Sequence, residues 1–528
     1  MGIYLNPGNE GFRTSLRSKI YVDKTELIAY TNDVFDTEQK FICVSRPRRF
    51  GKTMAAKMLT AYYSCGCDSR EIFQGLEITK HPSFDQHLNQ YNVIFLNIQD
   101  FLSMASGDVS NAIALLQKRV LRELRKSYPD FIEPEEVWLT NAFSDIASST
   151  GKGFIFIVDE WDCIFREKKD NLDAQKDYLD FLRALWKDKP YVNLVYMTGI
   201  LPVKKYGTHS ALNMFDEFSM IDAEPLTSYT GFTEAETKAL YEKYNMDFQD
   251  AKRWYDGYRF AGDLHIYNPK SVVDSLRRKH FSSYWTQTET YEALRIYIDM
   301  NFDGLKDAIV LMLGGGRCEI DTSSFTNDMT TFQVKDDVLT LLIHLGYLAY
   351  DAKRSEVFIP NEEIRSEFVR SIRVSDWQEV MKSINASKAL LEATLNGDTD
   401  TVAAGLDSVH MDTTSILSYN NENSLSCVIS LAYYSARNYY YLKRELPAGK
   451  GFADMVFTPR SNSPDKPAMI VELKWDHSAQ GAIQQIKEKQ YVKALEGYSG
   501  TVFLIGINYN KDTKHHECLI EKIEISSS

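Results

Sequence analysis

Through roughly the first 200 positions, apolar residues come in short unbroken runs. Phe41-Ile42-Cys43-Val44, Val93-Ile94-Phe95-Leu96, Phe154-Ile155-Phe156-Ile157-Val158 and Leu194-Val195-Tyr196-Met197 contain no polar position. A run of that length without alternation describes a strand covered on both faces. Between the runs, residues 52–63, 109–125 and 178–186 carry helical spacing, the first with Met54, Met58 and Leu59 on one side. Strand and helix alternating in this way predict an α/β fold with a parallel sheet.

From about Gly231 the period changes and helices dominate, over 233–244, 249–258, 270–279 and 291–313. Thr233 with Glu236 three residues on forms a capping box. A short helix at 337–345 leads into two strand-like runs, 346–350 and 357–360, the arrangement of a winged helix. A polar, small-residue stretch at 397–413 marks a boundary. Beyond it come a helix at 424–438, strands at 452–457 and 469–473, a helix at 482–495 and a strand at 502–507. The expected division is an α/β domain over 1–230, a helical middle over 231–396 and a second α/β domain over 397–528.

Composition narrows the class. The chain has 528 residues, 44% hydrophobic and 25% charged, ordinary values for a folded chain that exclude wholesale disorder and fibres. The net charge is −13, which argues against a general nucleic-acid coat but leaves room for a local basic groove. Seven scattered cysteines, with Cys65-Gly66-Cys67 one spacer short of a knuckle or redox motif, read as reduced thiols in a cytoplasm. Met1 to Pro7 has no basic-then-apolar leader pattern, and no apolar run reaches the ~18 residues of a membrane span. The expectation is a cytoplasmic protein with no membrane partner.

The first run feeds Ser45-Arg46-Pro47-Arg48-Arg49-Phe50-Gly51-Lys52-Thr53, with a helix after it. Strand, Gly-Lys-Thr, helix is the setting of a phosphate loop: backbone N–H groups and the helix N-terminus face the phosphates. Lys52 adds a point charge and the Thr53 hydroxyl reaches Mg²⁺. Arg48, Arg49, Phe50 and Gly51 complete the candidate nucleotide site. Arg46 stands where the usual pattern has its first glycine. About 100 residues on, the third run ends in Asp159-Glu160. There Asp159 is the candidate Mg²⁺ ligand and Glu160 the candidate base for an attacking water. Thr198, ending the next run, stands where a polar γ-phosphate sensor or a simple strand-end cap would. ATP and Mg²⁺ are the implied cofactors.

These residues, with Tyr21-Val22-Asp23-Lys24-Thr25, Trp254-Tyr255-Asp256-Gly257-Tyr258 and Tyr267-Asn268-Pro269, resemble the AAA-ATPase-like family of bacterial proteins over roughly 5–275. The resemblance implies a P-loop NTPase with an extra strand between the two Walker strands, an arginine-rich loop as a family feature, and Arg259 as a sensor or trans-acting finger; a surface arginine beside aromatics uses the same residue. Such ATPases act as monomers or as rings of identical copies, so a homo-oligomer stays open.

In the last third, Asp454 and then Glu472-Leu473-Lys474 sit in apolar strands. Residues two apart on a strand share a face, so Glu472 and Lys474 point the same way. If the Asp454 strand pairs beside them, two carboxylates and an amine converge, which is what metal-assisted phosphodiester hydrolysis requires. A surface Glu/Lys pair on a sheet edge uses the same residues. Residues 417–422 and 444–454 resemble the PD-(D/E)XK nuclease superfamily. That resemblance implies Glu422 as an early acidic metal ligand, Gln485 as a late polar member and Glu445 as a nearby acid. Phe452 stands where many relatives carry Arg.

The expectation is an ATP-binding and hydrolysing protein coupled to a Mg²⁺-dependent nuclease domain, DNA being favoured over RNA as partner. Two readings stay open beside it. One is an NTPase switch of signalling or defence type whose C-terminal domain binds nucleic acid without cutting. The other is a nuclease whose nucleotide only holds an oligomer together.

Overall fold

Five strands build the first sheet: β1 (Phe41–Ser45), followed by helix α1 (Lys52–Tyr63), then β2 (Asn92–Asn97), β3 (Phe154–Asp159), β4 (Val192–Gly199) and β5 (Asp216–Phe218). The computed structural model describes residues 2–203, 212–260, 263–285, 291–300, 302–327, 329–375, 377–413, 422–448, 450–460, 463–495 and 497–525. The strand order is β2-β3-β4-β1-β5, with every pair parallel. All residues of β1 and β3 are buried, which is why these strands read as unbroken apolar runs. β4 lies between β1 and β3, the inserted strand that the family resemblance implies. Its register sets Gly199 beside Ser45 and Met197 beside Val158. The polar ends of three strands therefore meet at one sheet edge, where open α/β sheets bind ligands.

Helix α1 packs Ala56, Leu59 and Tyr63 over Ile42, Val44 and Ile157. Met54 departs from the expected apolar side and is 43% exposed. Met54 lies on the solvent side of the first turn of α1, whose Lys52 and Ala55 are buried.

A small antiparallel sheet follows, with β6 (Phe232–Thr233), α2 (Glu234–Lys243), α3 (Phe248–Tyr255), β7 (Tyr258–Phe260) and β8 (Leu264–Tyr267) in strand order β6-β8-β7. The capping box forms: the Thr233 hydroxyl accepts from the Glu236 N–H, and the Glu236 carboxylate accepts from the Thr233 N–H. Helix 249–258 of the sequence reading stops at Tyr255, because Tyr258 is taken into β7. A helix at Lys335–Leu345 leads into the antiparallel pair Ala349–Asp351 and Glu356–Phe358, the expected helix and hairpin.

These elements belong to one compact unit, Met1–Thr290 with Glu319–Ile364; the other comprises Tyr291–Cys318 with Arg365–Ser528. In the second unit the single helix expected over 291–313 is two, Tyr291–Ile298 and Leu305–Leu313. Gly304 separates them in the left-handed region (φ 74°), which a continuous α-helix cannot accommodate. The polar stretch at 397–413 is a helix, Thr399–Thr413, with Val402, Leu406 and Val409 buried. Its apolar stripe is one residue wide per turn, too narrow to stand out among polar positions.

Five more strands form the second sheet: β9 (Tyr440–Ala448), β10 (Gly451–Pro459), β11 (Ala468–Trp475), then helix α4 (Ala479–Glu488), β12 (Gly500–Asn510) and β13 (His515–Ile525). They lie in chain order. Only β11 and β12 run parallel, and a parallel pair needs a crossover, supplied by α4. Ile483 and Ile486 of α4 bury against Ile470, Val502 and Leu504. All seven cysteines are free. No described helix is long and apolar enough to cross a membrane.

Candidate functional site

The loop after β1 turns through two left-handed residues, Arg49 (φ 69°) and Gly51 (φ 91°), before α1 begins at Lys52. A Cβ on Gly51 would meet nothing within 4 Å, so backbone conformation, not crowding, calls for glycine there. Lys52 is buried, and its Nζ donates to the carbonyls of Arg46 and Pro47, 2.9 Å each. Burial lowers its pKa, opposed by the charges of Glu160, Asp162 and Asp159. Thr53 lies beside it, half-buried. Arg46 does not face the site. Its guanidinium is buried and donates to the carbonyls of Ser45, Phe218 and Ser219 at 2.8–2.9 Å, tying β1 to β5. Burial pushes its pKa down to about 10. The loop carbonyls are braced from outside: Phe50 accepts from the Gly231 N–H at 2.9 Å and Arg48 from Trp285 Nε1 at 3.0 Å.

Asp159 ends β3 fully buried. Its Oδ1 accepts from the Thr198 hydroxyl at 2.5 Å, and its Oδ2 is buried without a hydrogen-bond partner. An orphaned carboxylate oxygen next to the phosphate loop fits a cation ligand. Glu160 takes a left-handed conformation (φ 55°), turning its carboxylate away from the strand, where Arg166 donates to it. Arg166 also reaches Asp162 at 3.2 Å, and Asp162 accepts from the N–H groups of Ile200 and Leu201 at 3.0 and 2.9 Å. Asp162 thus anchors the turn after β4, and Arg166 holds Glu160. Sequence reasoning missed both roles. The available signal was an Asp-to-Arg spacing of four, which brings the two onto one face of the helix Cys163–Glu167.

A cavity of about 1050 Å³ opens at this edge, lined by Arg48, Arg49, Gly51, Lys52, Thr53 and Glu160. Lys19, Lys24, Arg166, Lys270 and Arg277 also face it, an excess of cations suited to a polyanion. Arg259 is exposed on β7 and does not line it.

The second cluster forms where β10 and β11 leave their ladder. The last registered pair is Met455 with Val471, so Asp454 and Glu472 follow opposite each other. Asp454 Oδ2 accepts from the Leu473 N–H at 2.7 Å, and Lys474 Nζ stands 3.0 Å from Glu472 Oε1. Gln485 of α4 donates to the Glu472 carboxylate and to Tyr491 Oη. Glu472 is buried, and its Oε2 has no partner. Burial first, and then the charge of Asp454, push its pKa up to about 7. A buried carboxylate set against a half-buried one, with an empty lone-pair direction on the first, fits a divalent cation. The four residues Asp454, Glu472, Lys474 and Gln485 therefore come together. Glu445 and Phe452 are exposed, Phe452 by 63%. Glu422 begins the helix Glu422–Ala432, but its side chain lies outside the described residues.

Comparison with known proteins agrees with this layout. Residues 11–208 match the family described as predicted AAA-ATPase, and residues 420–518 match the PD-(D/E)XK nuclease superfamily. An uncharacterized protein of the vnfD 5′ region of Azotobacter chroococcum mcd 1 is 25% identical over 289 residues. That alignment covers 51% of each chain, so the protein spans about half the length of the curated relative it matches. Among solved structures, the Walker-type ATPase of Pyrococcus abyssi aligns with 66% of this chain and 94% of its own, at 12% identity and a TM-score of 0.35. By its two family matches, the chain joins an AAA-ATPase-like domain at 11–208 to a PD-(D/E)XK nuclease superfamily domain at 420–518.

Proposed function

We propose that the chain binds and hydrolyses ATP with Mg²⁺ in its first unit and cleaves nucleic acid phosphodiesters, DNA in preference to RNA, in its second. The observation that carries the reading is Glu472: a buried carboxylate with an unpartnered oxygen, facing Asp454 and held by Lys474 and Gln485. Isolated buried carboxylates are costly, and setting the half-buried Asp454 against this one supports cation binding over simple packing.

Asp454 and Glu472 would hold Mg²⁺ in the second unit; Thr53 and Asp159 would hold it in the first. The bound ion would offset charge on the phosphate and acidify a water. Lys474 keeps Glu472 oriented and adds positive charge at the scissile group. In the first unit Lys52 leaves its own loop carbonyls for the β- and γ-phosphate oxygens. Glu160 exchanges Arg166 for the attacking water, while Thr198 fixes Asp159. The basic cavity supports triphosphate binding.

The test is Mg²⁺-dependent cleavage of linear, circular and single-stranded DNA and of RNA, with and without ATP. Wild type is run beside Lys52→Ala and Asp454→Ala. Cleavage lost in Asp454→Ala and ATP turnover lost in Lys52→Ala are the expected results. ATP turnover without cleavage of any substrate would replace this reading with the nucleotide switch.

A further inference from the structure

Away from both clusters, the small sheet gathers three donor groups around one point. Glu234 is the first residue of α2, Asp256 follows the last residue of α3, and His265 lies on β8. One ligand atom from each lies within 4.8 Å of the other two. His265 Nδ1 stands 2.9 Å from Asp256 Oδ1 and 3.5 Å from Glu234 Oε2. Around a small divalent ion with bonds of about 2.1 Å, tetrahedral neighbours are about 3.4 Å apart. The two His265 distances lie on either side of that spacing.

Each donor also has an outer partner. Lys252 holds the other Glu234 oxygen at 3.0 Å, and the Gly257 N–H donates to Asp256 Oδ1 at 2.6 Å. His265 Nε2 faces Asp263 at 3.6 Å. Counting Glu234, Asp256 and Asp263 against Lys252, and taking the imidazole as neutral, the cluster carries two negative charges in excess.

Tyr267, fully buried on β8, sets its hydroxyl against Asp256.

We infer that Glu234, Asp256 and His265 form a structural site for a first-row divalent cation, with Tyr267 as an inner neighbour. One imidazole and two carboxylates suit Zn²⁺ ahead of Mn²⁺ in affinity, and disfavour Mg²⁺, which takes oxygen ligands. The ion would tie the start of α2, the end of α3 and β8 into one piece. That piece braces the phosphate loop, since Gly231 donates to the Phe50 carbonyl and the Phe50 ring lies 5.5 Å from Tyr258. This site is separate from the proposed Mg²⁺ sites and does not depend on either activity.

The experiment uses the full chain carrying Lys52→Ala and Asp454→Ala, to silence the other sites. After EDTA treatment and reloading with Zn²⁺, metal content is measured by mass spectrometry, and Co²⁺ loading is followed by visible absorption. About one equivalent of Zn²⁺ per chain is expected, with ligand-field bands for Co²⁺. Both should be lost in a further His265→Ala change, and thermal unfolding of the loaded background should shift upward relative to EDTA. If His265→Ala fails to fold, Glu234→Gln, at the most exposed of the three positions, carries the same comparison. No retained metal in the background, or equal retention in both variants, overturns the inference and leaves His265 as an ion-pair partner of the carboxylates.

Discussion

At the scale of the residue, the phosphate loop and the Walker aspartate were legible because their chemistry is local. Lys52, Thr53 and Asp159 follow strands that announce themselves by burial. Their restraints were not legible. Thr198 is 39 positions from Asp159, yet their side chains meet at 2.5 Å. That bond is to a charged acceptor, so Thr198→Val should lower ATP turnover about ten- to a hundredfold. Steady-state hydrolysis at wild-type rates in this variant would remove Thr198 from the site. Glu472 gives a second prediction. Its pKa is raised by burial and by Asp454, so the native state keeps a proton that the unfolded chain releases. The stability it contributes is present below the ordinary carboxylate range and is lost as pH rises toward about 7. In EDTA, the melting temperature of wild type should fall between pH 5 and 8 (about 2–4 °C per kcal/mol), more steeply than that of Glu472→Gln. Added Mg²⁺ should oppose the fall in wild type alone. Parallel curves for the two proteins would contradict the assignment.

Elements were legible in proportion to how uniform their burial is. Strands β1 and β3 are buried on both faces and were read directly. The helix Thr399–Thr413 was not, because its stripe of Val402, Leu406 and Val409 is diluted by polar neighbours. The split between Tyr291–Ile298 and Leu305–Leu313 was hidden because the apolar spacing continues through a glycine that leaves the helical region. At the start of α1, the left-handed turn at Gly51 yields a prediction of its own. Since nothing crowds its Cβ position, Gly51→Ala should cost only the backbone strain, about 1–2 kcal/mol. ATP affinity should weaken as well, as the loop N–H groups tilt away. Denaturant unfolding that leaves stability unchanged would show that the turn relaxes freely.

For the whole molecule, the two candidate sites fall in different compact units, Lys52 in one and Asp454 in the other. Sites that share no side-chain partners act nearly additively. Asp454→Ala should therefore leave ATP turnover in the absence of nucleic acid within about twofold of wild type, while abolishing cleavage. A collapse of ATP turnover in that variant would show that the units share more than a chain.

The sequence alone determined the α/β class, the strand-loop-helix around Lys52, the strand ending in Asp159 and the Glu472–Lys474 pair. Each depends on residues close in the chain, where spacing translates directly into a shared face or a turn. Only the tertiary structure decided what meets across long separations. It put Arg46 into the joint between β1 and β5 and Arg166 onto Glu160. It also set Gln485 against Glu472, and Glu234 and Asp256 beside His265. Side chains far apart in sequence are brought together by sheet register and helix packing, and no local periodicity records which distant partner a buried polar atom will find.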